Sequence, residues 1–250
     1  MTSFMIKIIA LLSMILDHIG FVFTAPAIGH SASPIMHLLR HIGRIAFPLY
    51  AFLIGEGCRH TKNINKYLAR LLIFAIISEI PFDFLRARAL GRYIGSFADI
   101  FDFSAQNIFF TLFLGALSIA IYLHLDREKG KTFALIAGFF VTMLCAYAAE
   151  LINSDFGSAG VILIAAPFML SDCCPQGSAQ KLTRVLVMAI CLLHLYGIDS
   201  RFLPAALISM VFILLYNGNK GRPVRWGFYL AYPIHMIVLV IAYDLFRMIF

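Results

Sequence analysis

The stretch Lys7-Ile8-Ile9-Ala10-Leu11-Leu12-Ser13-Met14-Ile15-Leu16-Asp17-His18 puts three ionisable groups into an apolar run long enough to cross a bilayer. A charge in hydrocarbon costs about 2.5–3.5 kcal/mol or more on insertion scales, so such groups are retained for a partner, a pathway or a reaction. At about 100° per residue, positions 7, 11, 14 and 18 share one helical face, and Lys7 and His18 lie roughly 16 Å apart along the axis. One charge therefore sits near a membrane surface and the other well inside. Asp17 is rotated by one residue from His18, so the two face neighbouring helices or share a polar cavity rather than stacking as an i,i+4 pair.

Composition supports the same setting. The 250 residues are 61% hydrophobic and 13% charged, with a mean hydropathy of +0.88, well above the apolar share of a soluble domain. The expectation is an all-α, polytopic transmembrane helical bundle forming a single domain over 1–250. A net charge of +7 would suit nucleic acid, but the Lys and Arg residues sit mainly in short loops beside apolar runs. There they act as orientation signals and phosphate contacts, so the lipid bilayer is expected as a partner and nucleic acid is not. The five Cys residues show no C-x-x-C spacing, and Cys145 and Cys191 fall in apolar runs where a thiol packs as a small hydrophobe. Neither disulfide nor metal is expected. Lys7 and the following apolar run, with Ala25-Pro26-Ala27 beyond, resemble a signal peptide, but Asp17 and His18 would interrupt its hydrophobic region.

Apolar runs fall near 4–24, 41–58, 66–85, 106–125, 132–150, 158–172, 182–198, 200–216 and 226–249, which makes about nine spans. Basic clusters follow the second span (Arg59, Lys62, Lys66, Arg70) and the fourth (Arg127, Lys129, Lys131). Others precede the seventh (Lys181, Arg184) and the last (Lys220, Arg222, Arg225). All of these lie on one side if the N-terminus is cytoplasmic in a bacterial inner membrane. Arg86, Arg88 and Arg92 object, since they would face outward with only Asp99 and Asp102 to balance them.

The second span contains Gly43, Arg44, Pro48, Gly55, Glu56 and Gly57. Proline frees backbone groups within a span and predicts a kink facing protein or water. Packing against another helix explains the glycines but leaves Arg44 and Glu56 open between ion pair and site. Glu79 and Asp83 are one turn apart, as are Asn107 and Thr111, and each pair could line a cavity or make an interhelical hydrogen bond. Residues 153–160 read as a turn leading into a span. His194 and His235 are isolated in apolar surroundings, where a lone His is more often a packing residue than a catalyst. Counted from the proposed cytoplasmic ends, however, His18, Glu79, His194 and His235 all come near mid-membrane. That convergence predicts a buried polar chamber at mid-membrane.

Such a chamber admits a metal site, a proton-coupled small-solute transporter, or an enzyme whose substrates approach from opposite faces with His as general base. His37 and His41 are the one His pair at i,i+4, but Leu38 stands where a motif such as H-E-x-x-H has its Glu, so the metal reading is not favoured. A transporter would favour paired broken helices and an internal repeat, and no convincing repeat is present.

The ordered set of motifs resembles one family. Lys7, ten intervening residues and His18 preceded by Asp17 are similar to the opening of TraX proteins, and the Lys/Arg-x10-His spacing is also similar to that of membrane acyltransferases more broadly. The resemblance continues through Gly43-Arg44-Ile45-Ala46-Phe47-Pro48-Leu49, Asn107-Ile108-Phe109-Phe110, Phe156-Gly157-Ser158-Ala159-Gly160 and Tyr232-Pro233-Ile234-His235. Glu56, His60 and Ser78-Glu79-Ile80-Pro81-Phe82-Asp83 look more like TraX-like proteins from outside conjugative plasmids than the pilin acetylases of conjugation themselves.

TraX is the pilin acetylase, so the resemblance implies acetyl transfer from acetyl-CoA to the N-terminal amine of a pilin subunit. An exported peptide, or a glycan or lipid hydroxyl, would serve the same chemistry as acceptor. On this reading Lys7, Arg59, Lys62, Lys66 and Arg70 contact the donor phosphates. His18 is the general base or, less directly, the acyl carrier, with His235 second choice as base. Asp17 or Glu79 orients the imidazole, and Asn107 donates to the developing oxyanion. Oligomeric state is not legible.

Overall fold

The computed structural model describes residues 1–23, 34–92, 102–222 and 226–249. Ala25-Pro26-Ala27, Asp99 and Arg225 lie outside them. Among the described residues every regular element is helical. In chain order these are α1 (Ser3–Phe23), α2 (Pro34–Gly43), α3 (Ala46–His60), α4 (Ile64–Ala89), α5 (Ile108–Lys129), α6 (Lys131–Leu151), α7 (Gly157–Asp172), α8 (Ser178–Tyr196), α9 (Leu203–Leu214) and α10 (Gly227–Ile249).

Six segments are long and apolar enough to cross a membrane: α1, the combined α2–α3 segment, α5, α6, α8 and α10. The expected count of nine is thus met by length and apolarity in six cases only. α4 is long enough at 26 residues, but Lys66, Arg70, Glu79 and Asp83 dilute its apolar run. α7 and α9, at 16 and 12 residues, are short.

The apolar residues also face the wrong way for water. Phe133, Ile136, Phe140, Leu144, Tyr147 and Leu151 run along α6 at three- and four-residue spacing, each at least 52% exposed. A continuous stripe of this kind is a liability in water and a lipid-facing surface in a bilayer. The interior instead collects small and aromatic residues, such as Ala10, Ala116, Ala134, Ala206, Phe47 and Tyr232.

Contacts at the helix ends define two ends of the bundle. At the first, the Ser3 N–H donates to Asn219 O (2.8 Å), Arg59 at the end of α3 pairs with Asp172 at the end of α7 (2.8 Å), and Lys131 at the start of α6 bridges Asp126 (2.8 Å) and Asp172 (2.6 Å). At the second, Arg88 grips Asp244 through two bonds (2.6 and 3.0 Å), and the Asp155 N–H donates to Gln106 O (2.8 Å). With α2 and α3 taken as one pass, successive passes alternate in direction. Lys62, Lys66, Arg127, Lys129, Lys181, Lys220 and Arg222 therefore gather at the first end, as the basic clusters predict. The dissenting arginines sit at the second end in ion pairs: Arg86 and Arg92 share Asp102 (2.7 and 2.9 Å), and Arg88 holds Asp244.

The second expected span is two helices. The chain breaks at Arg44 and Ile45, four residues before Pro48, which relieves the clash of the proline ring with a helical carbonyl; Pro81, Pro167 and Pro233 lie inside continuous helices, so proline alone does not impose the break. Pro48 itself falls in the first turn of α3, where a missing N–H costs nothing. Gly43 ends α2 directly against α1. A Cβ at Gly43 would lie 2.6 Å from Asp17 Cγ, so only glycine lets the break close over Asp17.

Candidate active site

A single cavity of about 950 Å³ runs through the bundle. At the first end its wall carries Lys7, Lys62, Lys66, Arg70, Lys220 and Arg222; at the second it carries Asp17, His18, Arg40, Arg44 and Asp155, with Arg86 and Ala105 beyond. From Lys66 to Arg86 along α4 is about 30 Å, close to the hydrocarbon thickness of a bilayer. Between the two groups the wall is mostly aromatic and aliphatic, including Tyr50, Leu53, Tyr67, Phe109, Trp226 and Tyr229.

His18 meets His235 at its second-end level. His18 Nδ1 lies 2.6 Å from His235 Nε2, with the two rings within 5° of parallel. His235 Nδ1 lies 2.8 Å from Ala231 O. A carbonyl can only accept, so His235 carries its proton on Nδ1 and presents Nε2 as an acceptor. His18 must then donate through Nδ1, which leaves the lone pair on His18 Nε2. The backbone of α10 thereby selects the tautomer of a ring on α1. Of the two histidines, only His18 lines the chamber.

Asp17 turns away from this pair toward the helix break. Its Oδ2 accepts from Arg40 (2.6 Å) and its Oδ1 from Arg44 (2.8 Å). Arg40 and Arg44 are one turn apart and converge on the carboxylate because the break brings the end of α2 down beside it. Opposite, the turn Asn153–Phe156 is clasped to the start of α5. Gln106 N–H donates to Asn153 O (2.9 Å), and the Thr111 hydroxyl bonds Ser154 Oγ (3.0 Å) and Asp155 O. Burial pushes the Asp155 carboxyl up to about 6 against the opposing pull of Arg44 and Arg40.

Not every expected site residue joins the chamber. Asn107 is fully buried as the N-cap of α5: its Oδ1 accepts from Phe109 N–H (3.0 Å) while its amide donates to Ala75 O (2.7 Å) and to Glu79 Oε2. Both of its amide hydrogens are consumed, so the site it was expected to serve as an oxyanion donor is a helix cap. Glu79 is engaged with Asn107 rather than with either imidazole, and the orienting place expected for Asp17 or Glu79 is occupied by His235. His194 is exposed on α8 and does not meet the others. Arg59 is held by Asp172 (2.8 Å) and Gln180 (3.5 Å) and is absent from the chamber wall, while Lys7, Lys62, Lys66 and Arg70 are on it. Glu56, left open between two readings, forms a buried ion pair with Arg184 (2.6 Å).

Three groups of residues were missed from sequence. Lys220 and Arg222 read only as orientation signals; Arg40 lay ahead of the expected span; Asp155 read as part of a turn. The i,i+4 spacing of Arg40 and Arg44 was a legible sign that both share a face, but the position of Asp155 follows only from the α5–α7 clasp.

Residues 3–242 match the family model described as TraX protein. The chain is also similar to a probable fimbrial assembly protein, FimC of serogroup H1, from Dichelobacter nodosus. The two are 29% identical over 258 aligned positions, covering 96% of this chain and 95% of that protein. No solved structure matches.

Proposed function

The chain belongs to the TraX family, and from that premise we propose that it is a membrane acetyltransferase. It takes the acetyl group of cytoplasmic acetyl-CoA and delivers it across the bacterial inner membrane to an amine of an exported acceptor, a pilin N-terminus foremost. The observation that carries this reading is the chamber itself, which joins a mouth of six cations to a histidine about 16 Å deeper along α1. The wall suits this donor. Lys7, Lys62, Lys66, Arg70, Lys220 and Arg222 match a cluster of phosphates, and the aromatic and aliphatic throat matches a long thioester arm. With these cations cytoplasmic, the N-terminus is cytoplasmic too, and the chain makes nine passes with α2 and α3 counted together. The fimbrial name of the relative favours a surface-appendage subunit as acceptor.

In this mechanism His18 Nε2 takes a proton from the acceptor nitrogen as that nitrogen bonds to the thioester carbonyl carbon. The carbon–sulfur bond breaks, and the proton passes from the imidazolium to the departing thiolate, so base and thiol are both restored. His235 holds the ring in the required tautomer and shares the positive charge. With Asn107 committed to its cap, Tyr232 is the candidate donor to the developing oxyanion, its ring 6.3 Å from that of His18 and on the chamber wall.

Purified protein in lipid nanodiscs, given radiolabelled acetyl-CoA and a peptide amine, tests the reading. His18→Ala is expected to bind acetyl-CoA and to lose about 100- to 10,000-fold of transfer. Near-normal transfer by that variant removes His18 from the role. Failure of the wild type to bind acetyl-CoA, with proton-coupled uptake of a solute, overturns the reading in favour of transport.

A further inference from the structure

Asp155 is a charged group on the chamber wall that neither the donor mouth nor the histidine pair uses. The neighbouring guanidiniums of Arg40 and Arg44 contact another carboxylate and act on Asp155 only through space. Asp17 gives one oxygen to Arg40 and the other to Arg44, which satisfies one carboxylate with two guanidiniums. Asp155 is exposed on the cavity and, among the described residues, forms no ion pair.

Its position is determined from several sides. The Asp155 N–H donates to Gln106 O (2.8 Å) and its carbonyl accepts from the Thr111 hydroxyl. Asn153 and Phe156 on either side are both in the left-handed region, at φ 51° and 64°, which a bulky residue rarely adopts. Phe156 is held there by stacking on Phe47, with ring centroids 3.8 Å apart and planes 12° apart. Toward the second end Phe21, Phe82 and Ala105 line the same cavity beside Arg40, Arg44 and Arg86.

We propose that Asp155 anchors the ammonium group of the acceptor, presented on an apolar chain as the free N-terminus of an extended peptide. The inference rests on the acyl-transfer reading and names the residue that holds the acceptor at that site. It divides the chamber by charge: phosphates are taken by cations at the first end, and a cation is taken by a carboxylate at the second. The anchored ammonium first releases one proton to water in the cavity, and the neutral amine then attacks while His18 takes the second proton and passes it to the departing thiolate, so each transfer releases one proton.

The anchor is charged above about pH 6 and neutral below it, since its carboxyl, though it faces the cavity, is withdrawn from bulk water by the surrounding helices and raised to about 6. The groups facing it are Asp17 and His18 of α1, Arg40 of α2, Arg44 of the helix break, Tyr196 of α8 and Tyr232 of α10. Glu150 of α6 turns the other way, accepting from Ser158 N–H (2.8 Å).

Equilibrium binding separates this inference from the transfer reaction. The full chain in nanodiscs is titrated with a synthetic apolar decapeptide amide, once with a free N-terminus and once N-acetylated. The free peptide is expected to bind about tenfold more tightly or better, and to lose that advantage below about pH 6. Asp155→Asn is expected to abolish both the advantage and its pH dependence. Asp155→Ser gives the same loss if the charge is responsible, and Asp155→Glu recovers part of it. Equal binding of the two peptides to the wild type overturns the proposal, as does an undiminished preference in Asp155→Asn. An amino-sugar glycan that binds in an Asp155-dependent way where the peptide does not overturns the peptide as occupant. If acetyl-CoA neither binds nor is turned over while the Asp155-dependent preference persists, the anchor stands and the acyl-transfer reading falls.

Discussion

At the scale of single residues, the informative contact joins two rings from opposite ends of the chain. A lone histidine in an apolar span is most often a packing residue, and His235 does pack. Its bond to His18 nevertheless gives it a second consequence, because Ala231 O dictates which nitrogen of His235 is protonated and His235 in turn dictates the tautomer of His18. Removing His235 leaves the ring on α1 free to rotate and to take the other tautomer. His235→Ala is therefore expected to lower kcat about 10- to 100-fold with the KM for acetyl-CoA unchanged. His235→Gln, whose side-chain carbonyl can accept from His18 Nδ1–H, is expected to recover part of the loss. A purely packing role would show the opposite order, with His235→Leu the better replacement, so kcat and KM for the three variants decide the point.

At the scale of elements, the site depends on a helix that stops. Arg40 and Arg44 share a face by their i,i+4 spacing and both reach Asp17 of α1 where α2 gives way to α3. The interruption places Pro48 in the first turn of α3 and Gly43 permits its contact with α1, so the Gly43-Arg44-Ile45-Ala46-Phe47-Pro48 run encodes geometry as well as charge. Gly43→Ala drives a methyl group into Asp17 and is expected to cost about 1–3 kcal/mol of stability. It should also lower transfer by displacing the Asp17–Arg44 pair; a thermal unfolding scan beside a transfer assay reads both. A variant with unchanged Tm and full activity would show that the two helices can part without harm to the site.

At the scale of the whole molecule, the cavity wall reaches from the cationic end to the opposite one, and the two ends are predicted to behave differently. In membrane vesicles of known orientation, a cysteine at Lys62 should react with an impermeant maleimide from the cytoplasmic face and one at Ala105 from the other; labelling of both from one face would refute the proposed transmembrane arrangement. Lys66→Ala and Arg70→Ala should raise the KM for acetyl-CoA about tenfold together, less at high salt, whereas Arg59→Ala, which breaks a pair with Asp172, should lower thermal stability with little change in that KM. Much of this architecture was legible in the sequence. Apolar runs and basic clusters announced a helical membrane bundle with its cations at one end, because burial in lipid and topology depend on composition along the chain. Lys7 and His18 were placed at two levels of what proves to be one cavity wall because helix rise converts spacing directly into depth. What spacing along the chain could not supply was the lateral neighbour of each group at its depth. Asn107 has the chemistry of a site and spends it on a helix cap, on Ala75 and on one oxygen of Glu79, Arg59 has the charge of a phosphate contact and spends it on Asp172, and Asp155 lies in a turn that only the clasp with α5 brings to the cavity. Depth is a property of one helix, whereas partnership is a property of how helices pack, and the tertiary structure alone decided it.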